Sequence, residues 1–269
     1  MIRTARGAGL SDAELETILR SLRVKAPVDL PERTLVELGL ADAFASLAGP
    51  IGPLFVAWNG RGVSMIDLAG DEAAFTRRLT TLTGRPARRV ETVPEPLRAR
   101  IERRLAGDRR VGIPLDWRGR GTFERAVWTK ALEIPRGEVR PYGWVAAEIG
   151  SPRAVRAVGT ALGHNPIPLI VPCHRVVRSD GTIGQYSLGG ASNKRAVLEA
   201  EGVDVERLGR LAGEGVRFLG SDTTGIYCLP TCHHARRITD RHRVLFRSSS
   251  DATAAGYRPC RDCRPAAAA

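Results

Sequence analysis

Sulphur is scarce in this chain, and its cysteines are confined to the second half. Five cysteines and two methionines occur in 269 residues, and neither cysteine nor histidine precedes His164. An odd cysteine count argues against a secreted disulfide framework. The residues before His164 cannot form a Cys/His zinc site. Acidic side chains are also short, with 29 Asp and Glu against 41 Lys and Arg. The balance is +12, mostly from arginine, with a sequence pI of about 10.4. Such a charge points to a polyanionic partner, although charge alone does not separate nucleic acid from a membrane surface. No apolar run reaches the 18 residues that a membrane span needs. The opening Met1–Arg6 has no apolar segment behind it and lacks the form of a signal peptide. A reducing, cytoplasmic compartment is expected, and the length suggests two or three domains.

What sulphur there is divides unevenly. Cys173 stands alone, whereas Cys228, Cys232, Cys260 and Cys263 form a separate set. Around Cys173 the chain reads Asn165-Pro166-Ile167-Pro168-Leu169-Ile170-Val171-Pro172-Cys173-His174-Arg175. The run from Ile167 to Val171 reads as a short buried strand, with prolines at its entry and exit. Pro172 cannot continue a ladder, so a turn there presents Cys173 at the strand's end. A thiol attacks as thiolate, and an unperturbed cysteine is roughly 3% ionised at pH 7, so a lowered pKa offers up to about 30-fold more nucleophile. His174 and Arg175 both favour the thiolate. A lone Cys-His dipeptide is more often structural; the flanking prolines tip this one toward reactivity.

Taken in order, residues 1–48 open on a capping box, Ser11-Asp12-Ala13-Glu14, with Leu15, Ile18, Leu19 and Leu22 at helical spacing. A second helix is expected from Leu35 to Leu47, making this a helical extension. Residues 49–118 form a small α/β domain: apolar strands flank Asn59-Gly60 as a hairpin, and helices follow over Asp71–Thr83 and Pro94–Ala106. In residues 119–205, a helix over Tyr142–Ile149 ends at Gly150. Ser151 caps the next, with Pro152 at its first position and Ala154, Ala157, Val158, Ala161 and Leu162 as its inner stripe. Helix, glycine turn, helix is a helix-turn-helix, a weak signal by itself. Asn193–Glu201 reads as a last helix, and residues 206–221 as a linker.

From residue 222 to 269 the chain changes character. Cys228-x3-Cys232 and Cys260-x2-Cys263 are two close pairs, the spacing of a four-thiolate zinc site. His233, His234 and His242 remain open as substitute ligands. Residues 223–265 also carry eight arginines and three aspartates.

Asn-Pro, an apolar run and Pro-Cys-His-Arg-Val resemble the active-site signature of the O6-alkylguanine-DNA alkyltransferases, which are single-turnover DNA-repair proteins. The likeness extends from about Gly49 to Gly202 through Gly121-Thr122-Phe123, Val127-Trp128, Ile134-Pro135-Arg136-Gly137, Arg156-Ala157-Val158-Gly159, Gly184-Gln185-Tyr186-Ser187 and Glu201-Gly202. It implies a ribonuclease-H-like fold for the α/β half and a mainly α helix-turn-helix catalytic half that reads the DNA minor groove. It also implies roles. Cys173 accepts the alkyl group; His174 is its base, through a water, oriented by Glu201; Asn165 holds the turn; Tyr142 donates to the leaving guanine. Arg156 fills the vacated base stack, with Arg153 beside it on the DNA-facing element. Val176 lines the base pocket, and Tyr186 and Ser187 form a lid. Leu188 reads as a one-residue insertion in the family's Tyr-Ser-Gly-Gly.

The tail, with Thr223-Thr224-Gly225-Ile226-Tyr227-Cys228 and Ala255-Gly256-Tyr257-Arg258-Pro259-Cys260, resembles the Ada-type zinc domains, a small α+β fold. That likeness implies that Cys228 is a second acceptor, taking methyl from a DNA phosphotriester. A zinc knot that only folds the tail is the plainer reading. The order is reversed relative to Ada, and no activator helix-turn-helix follows. Double-stranded DNA, bound by a monomer, is the expected partner. The alternative is a methylation-responsive DNA-binding sensor or regulator; retention of Cys173 favours repair.

Overall fold

A computed structural model describes residues 30–265 together with positions 11, 13, 16 and 17. The helix expected over residues 11–22 lies largely outside the described residues. The helix expected from Leu35 to Leu47 gives way to a shorter one and a strand. Helix α1 (Leu30–Glu37) stops at Gly39, whose φ of 71° favours glycine, and β1 (Asp42–Gly49) follows. Phe44 faces one apolar cluster while Ala43, Ala45 and Leu47 face another. The period is two, but alanines, the best helix formers, disguise it.

Strand β1 pairs antiparallel with β2 (Gly52–Asn59), which pairs with β3 (Gly62–Leu68) across the Asn59-Gly60 turn. It also pairs in parallel with β4 (Ala87–Arg89), giving the order β3-β2-β1-β4. Strand pairing therefore crosses the expected boundary at residue 48. Helix α2 (Glu72–Thr83), capped by Asp71, lays Phe75 and Leu79 on one face beside Phe44 and Phe55. Burying each such side chain contributes roughly 1.5–3 kcal/mol. Helix α3 (Glu95–Leu105) adds Ile101 to the other face. A buried polar knot ties the 114–118 loop to this sheet: Asn59 Nδ2 donates to Asp42 and Asp116, each at 2.8 Å. Burial opposes ionisation of Asp116, but hydrogen bonds from Arg118 and Asn59 hold its carboxyl far below the usual range.

The second half begins with α4 (Thr122–Leu132). Its Trp128 donates to the Ala161 carbonyl at 2.8 Å, tying α4 to α6 (Val155–Gly163). Between them run β5 (Arg140–Pro141) and α5 (Tyr142–Glu148). Ser151 does not cap α6: its carbonyl accepts from Ala154 N, which closes a turn and leaves Pro152 and Arg153 at the corner. Val158, Ala161 and Leu162 are buried as expected, but Ala157 is exposed.

The run Ile167–Val171 is not a strand. Pro166 and Pro168 lack N–H donors, so no ladder forms; the chain folds back with Leu169 at φ 72° and Val171 N donating to Ile167 O. Cys173–Arg175 is a 3₁₀ turn leading into β6 (Val176–Val177), which pairs in parallel with β5. Helix α7 is Gly190–Ala200.

The expected linker is structured: α8 (Val205–Gly213) and β7 (Phe218–Ser221) occupy most of it. Strand β7 sits in a second sheet of order β10-β8-β7-β9, with β8 (Ile226–Cys228), β9 (Arg243–Phe246) and β10 (Arg258–Pro259). Helix α9 (Ser249–Ala254) starts with a Ser248–Asp251 capping box. Among the described residues no helix is long and apolar enough to cross a membrane.

Candidate active site

Cys173 is buried behind the proline turn. Asn165 Nδ2 donates to its Sγ at 3.2 Å and to Val171 O at 3.0 Å, while Asn165 Oδ1 accepts from Ile167 N at 3.0 Å. One buried amide therefore fixes both arms of the turn and touches the sulphur. Burial raises the thiol's pKa against hydrogen bonds from Asn165 and Ser187 and the charge of Lys194. The expected ready-made thiolate is thus corrected: desolvation dominates, and the resting sulphur keeps its proton.

Arg175 does not face the sulphur. Its guanidinium grips Glu201 with two hydrogen bonds, 2.8 and 2.7 Å, and donates to Ile134 O at 2.7 Å. Glu201 Oε1 also lies 3.1 Å from His174 Nε2. Burial works to raise the Glu201 pKa, but His174 and Arg175 outweigh it and hold it at about 2. The carboxylate can only accept, so the neutral imidazole carries its proton on Nε2. Burial lowers the His174 pKa, keeping the ring neutral. Nδ1 is then a bare lone pair, buried and without a hydrogen-bond partner. A neutral imidazole oriented by a carboxylate, one residue from a protonated thiol, has the parts of a general base.

Tyr142 opens α5, half-buried, with its pKa raised chiefly by burial. A side chain on Gly159 would meet its ring at 3.9 Å, so α6 packs over it. Arg153, at the corner before α6, and Arg156, in its first turn, are exposed. Tyr186 stands edge-on to His174, ring centres 6.0 Å apart, with a buried and unpartnered hydroxyl. Ser187 is exposed. Leu188 is buried in the core, and Gly189 follows at φ 83°; a side chain there would strike Asn193 at 2.1 Å. Sequence reasoning missed Lys194. It is 1% exposed, and its ammonium donates to Val176 O at 2.6 Å and to Gln185 O at 3.4 Å, with a pKa lowered by burial to about 8. The signal was there: Lys194, Val197 and Leu198 share the buried face of α7 at helical spacing.

The four tail cysteines converge. Their sulphurs are buried and all within 4.8 Å of one another. A tetrahedral zinc site with bonds of ~2.3 Å needs sulphurs about 3.8 Å apart, so the donor set fits. Leu229 N donates to Cys263 Sγ at 3.4 Å. The histidines left open as ligands face carboxylates instead: His233 to Glu138, His234 to Asp262, His242 to Asp222. Cys228 and Cys260 border a cavity of ≈ 570 Å³ rimmed by Arg237, Arg241, Arg258 and Arg261.

The family model "6-O-methylguanine DNA methyltransferase, DNA binding domain" matches residues 122–203, and "Metal binding domain of Ada" matches residues 212–266. The methylated-DNA–protein-cysteine methyltransferase of Mycobacterium tuberculosis is 40% identical over 159 residues, spanning 59% of this chain and 91% of that protein. This chain belongs to that family. The bifunctional transcriptional activator/DNA repair enzyme Ada of Escherichia coli is 35% identical over 182 residues, 65% of this chain and 48% of Ada. A crystal structure of an arginine-to-lysine variant of M. tuberculosis OGT superposes with a TM-score of 0.50 at 34% identity, covering 60% of this chain and 92% of that one. Zinc is the metal that the second match and the four-cysteine cluster both call for.

Proposed function

We propose that the protein repairs DNA by moving an alkyl group from O6 of guanine to Cys173, once per molecule. The observation that carries this reading is the buried Cys173–His174–Glu201 array with its bare Nδ1. O6 is poorly reached inside a stacked duplex, so the base is extruded at a cost of a few kcal/mol. Exposed Arg156, on the second helix of the α5–α6 pair, fills the gap from the minor groove, with Arg153 on adjacent backbone. Val176 and the Tyr186–Ser187 lid enclose the base. The Cys173 proton passes by way of water to His174 Nδ1, and the imidazolium is stabilised by Glu201. The sulphur forms a bond to the alkyl carbon as the carbon–O6 bond breaks. The electron pair stays on guanine, to which Tyr142 donates a hydrogen bond, and the proton held by the His174 imidazolium returns to guanine through water. The thioether product is stable, so no turnover follows.

At the tail, Cys228, Cys232, Cys260 and Cys263 hold zinc, which keeps its thiolates deprotonated and electron-rich at neutral pH. Cys228, beside the arginine-rimmed cavity, is the proposed acceptor of methyl from a phosphotriester whose lost charge makes it approachable: a sulphur–carbon bond forms as the carbon–oxygen bond breaks, and the electron pair leaves with the phosphodiester anion. The order β3-β2-β1-β4 supports a ribonuclease-H-like first domain. A cytoplasmic monomer acting on double-stranded DNA fits the charge. The test is label transfer from duplex carrying either O6-methylguanine or a methylphosphotriester, with peptide mapping. Label on Cys173 from the first and on Cys228 from the second is expected; label elsewhere overturns the assignment.

A further inference from the structure

The zinc cluster and the alkyl-transfer site share one core. Trp144, on the helix that Tyr142 opens, is 2% exposed, and its indole N–H donates to the backbone carbonyl of the zinc ligand Cys263 at 3.0 Å. The Arg140 and Arg264 guanidiniums both lie over its ring, 5.5 and 5.4 Å from its centroid. Arg264, next to Cys263, also pairs with Glu148 at 2.9 Å. The other ligand loop grips the same segment. Thr231, adjacent to Cys232, accepts from Val139 N at 2.9 Å, and His233 N donates to Glu138 at 3.1 Å. Glu138 in turn accepts from buried Arg140 at 2.6 Å. Arg140 and Pro141 then pair with Val176 and Val177, and Tyr142 follows. Residues 138–144 are thus held by residues beside zinc ligands from both ligand loops; they include Tyr142 and pair with Val176, two of the proposed base contacts.

We propose that the four-cysteine centre, closed on zinc, positions the O6 site through this clamp, with Trp144 and Thr231 as positioning residues. The proposal rests on the reading of Tyr142 and Val176 as base contacts. With the ligand loops loose, the buried Trp144 N–H and Val139 N–H lose their partners, which a buried segment tolerates only by moving. A reacting group misplaced by 1 Å costs up to about 10²-fold in rate.

The test uses the full chain, zinc-loaded or stripped by chelator, with Trp144→Phe, Thr231→Val and Thr231→Ser. Hydrogen exchange reads the clamp without chemistry, and transfer from labelled O6-methylguanine reads the site. Stripping should expose amides at 138–146 and 173–178 while β1–β3 stay protected. It should also slow transfer at least about 10-fold, equally on duplex and on free base, because no extrusion step is touched. Trp144→Phe and Thr231→Val, still zinc-loaded, should give part of both effects, and Thr231→Ser should restore both. Unchanged protection at 138–146 after zinc removal would overturn the clamp. No label on Cys173 in the zinc-loaded wild-type protein would instead overturn the underlying reading of the O6 site.

Discussion

In the function proposed above, the two sulphur sites solve one chemical problem in opposite ways. At Cys173 a single thiol is buried, its pKa pushed up, and its proton has a destination in the imidazole oriented by Glu201. At Cys228 three further cysteines crowd the sulphur, and zinc takes the place of the proton. A lone buried thiol is inert until a base acts on it, which protects a single-use nucleophile from stray chemistry. A zinc thiolate stays charged and needs shielding by coordination instead. The first site is therefore defined by hydrogen bonds across the fold and the second by ligand spacing along it.

The contrast breaks most severely at the ligands. Cys232→Ala should weaken zinc binding by far more than the roughly 10–100-fold that an outer-shell change costs, measured by competition with a chromophoric chelator. It should leave the β1–β3 sheet folded. Next comes Glu201→Ala, which strands the buried Arg175 guanidinium. Removing one partner of such a pair costs about 3–5 kcal/mol, read by chemical denaturation. The same group gives a pH signature. The Glu201 pKa falls from 4.5 unfolded to about 2 folded, so its stabilisation is complete above 4.5 and is lost as pH drops toward 2. Glu201→Gln should flatten the stability profile in that window.

These contrasts also mark what the sequence made legible. Ligand spacing needs no fold, so Cys228, Cys232, Cys260 and Cys263 could be picked out directly. The Cys173 array was half legible. His174 and Glu201 came through motif likeness, but Arg175 and the thiol's raised pKa depend on which way a buried side chain turns. Leu188 read as an insertion; in the fold its side chain is buried, beside a cavity that Asn165 and Ser187 also line. Strand β1 was hidden because alanines on a strand paired along both edges look helical, and the 167–171 run misled because its prolines forbid the ladder that its apolar content suggests. The clamp on Trp144 joins residues 119 apart, a separation that no local pattern reports.

Smaller effects sharpen the comparison further. Arg156→Ala should slow transfer from duplex roughly 10-fold or more while sparing the free base, since only the duplex bears the extrusion cost of a few kcal/mol. Equal losses would count against the proposed finger. The acid-side loss of transfer to Cys173 in single-turnover assays should fall below pH 6.5, because burial lowers the His174 pKa. Smallest is the electrostatic change at the tail. Methylating Cys228 removes one negative charge from the cluster, so DNA affinity should rise modestly at low salt and the gain should shrink as salt screens it.

The central claim is that each site takes its own substrate. Zinc-loaded protein mixed with duplex carrying labelled O6-methylguanine, digested and mapped, tests it most directly. One label per molecule on the Cys173 peptide, none on the tail, and none anywhere in Cys173→Ala is the expected result. Undiminished transfer in Cys173→Ala, or label from guanine on Cys228, would contradict it.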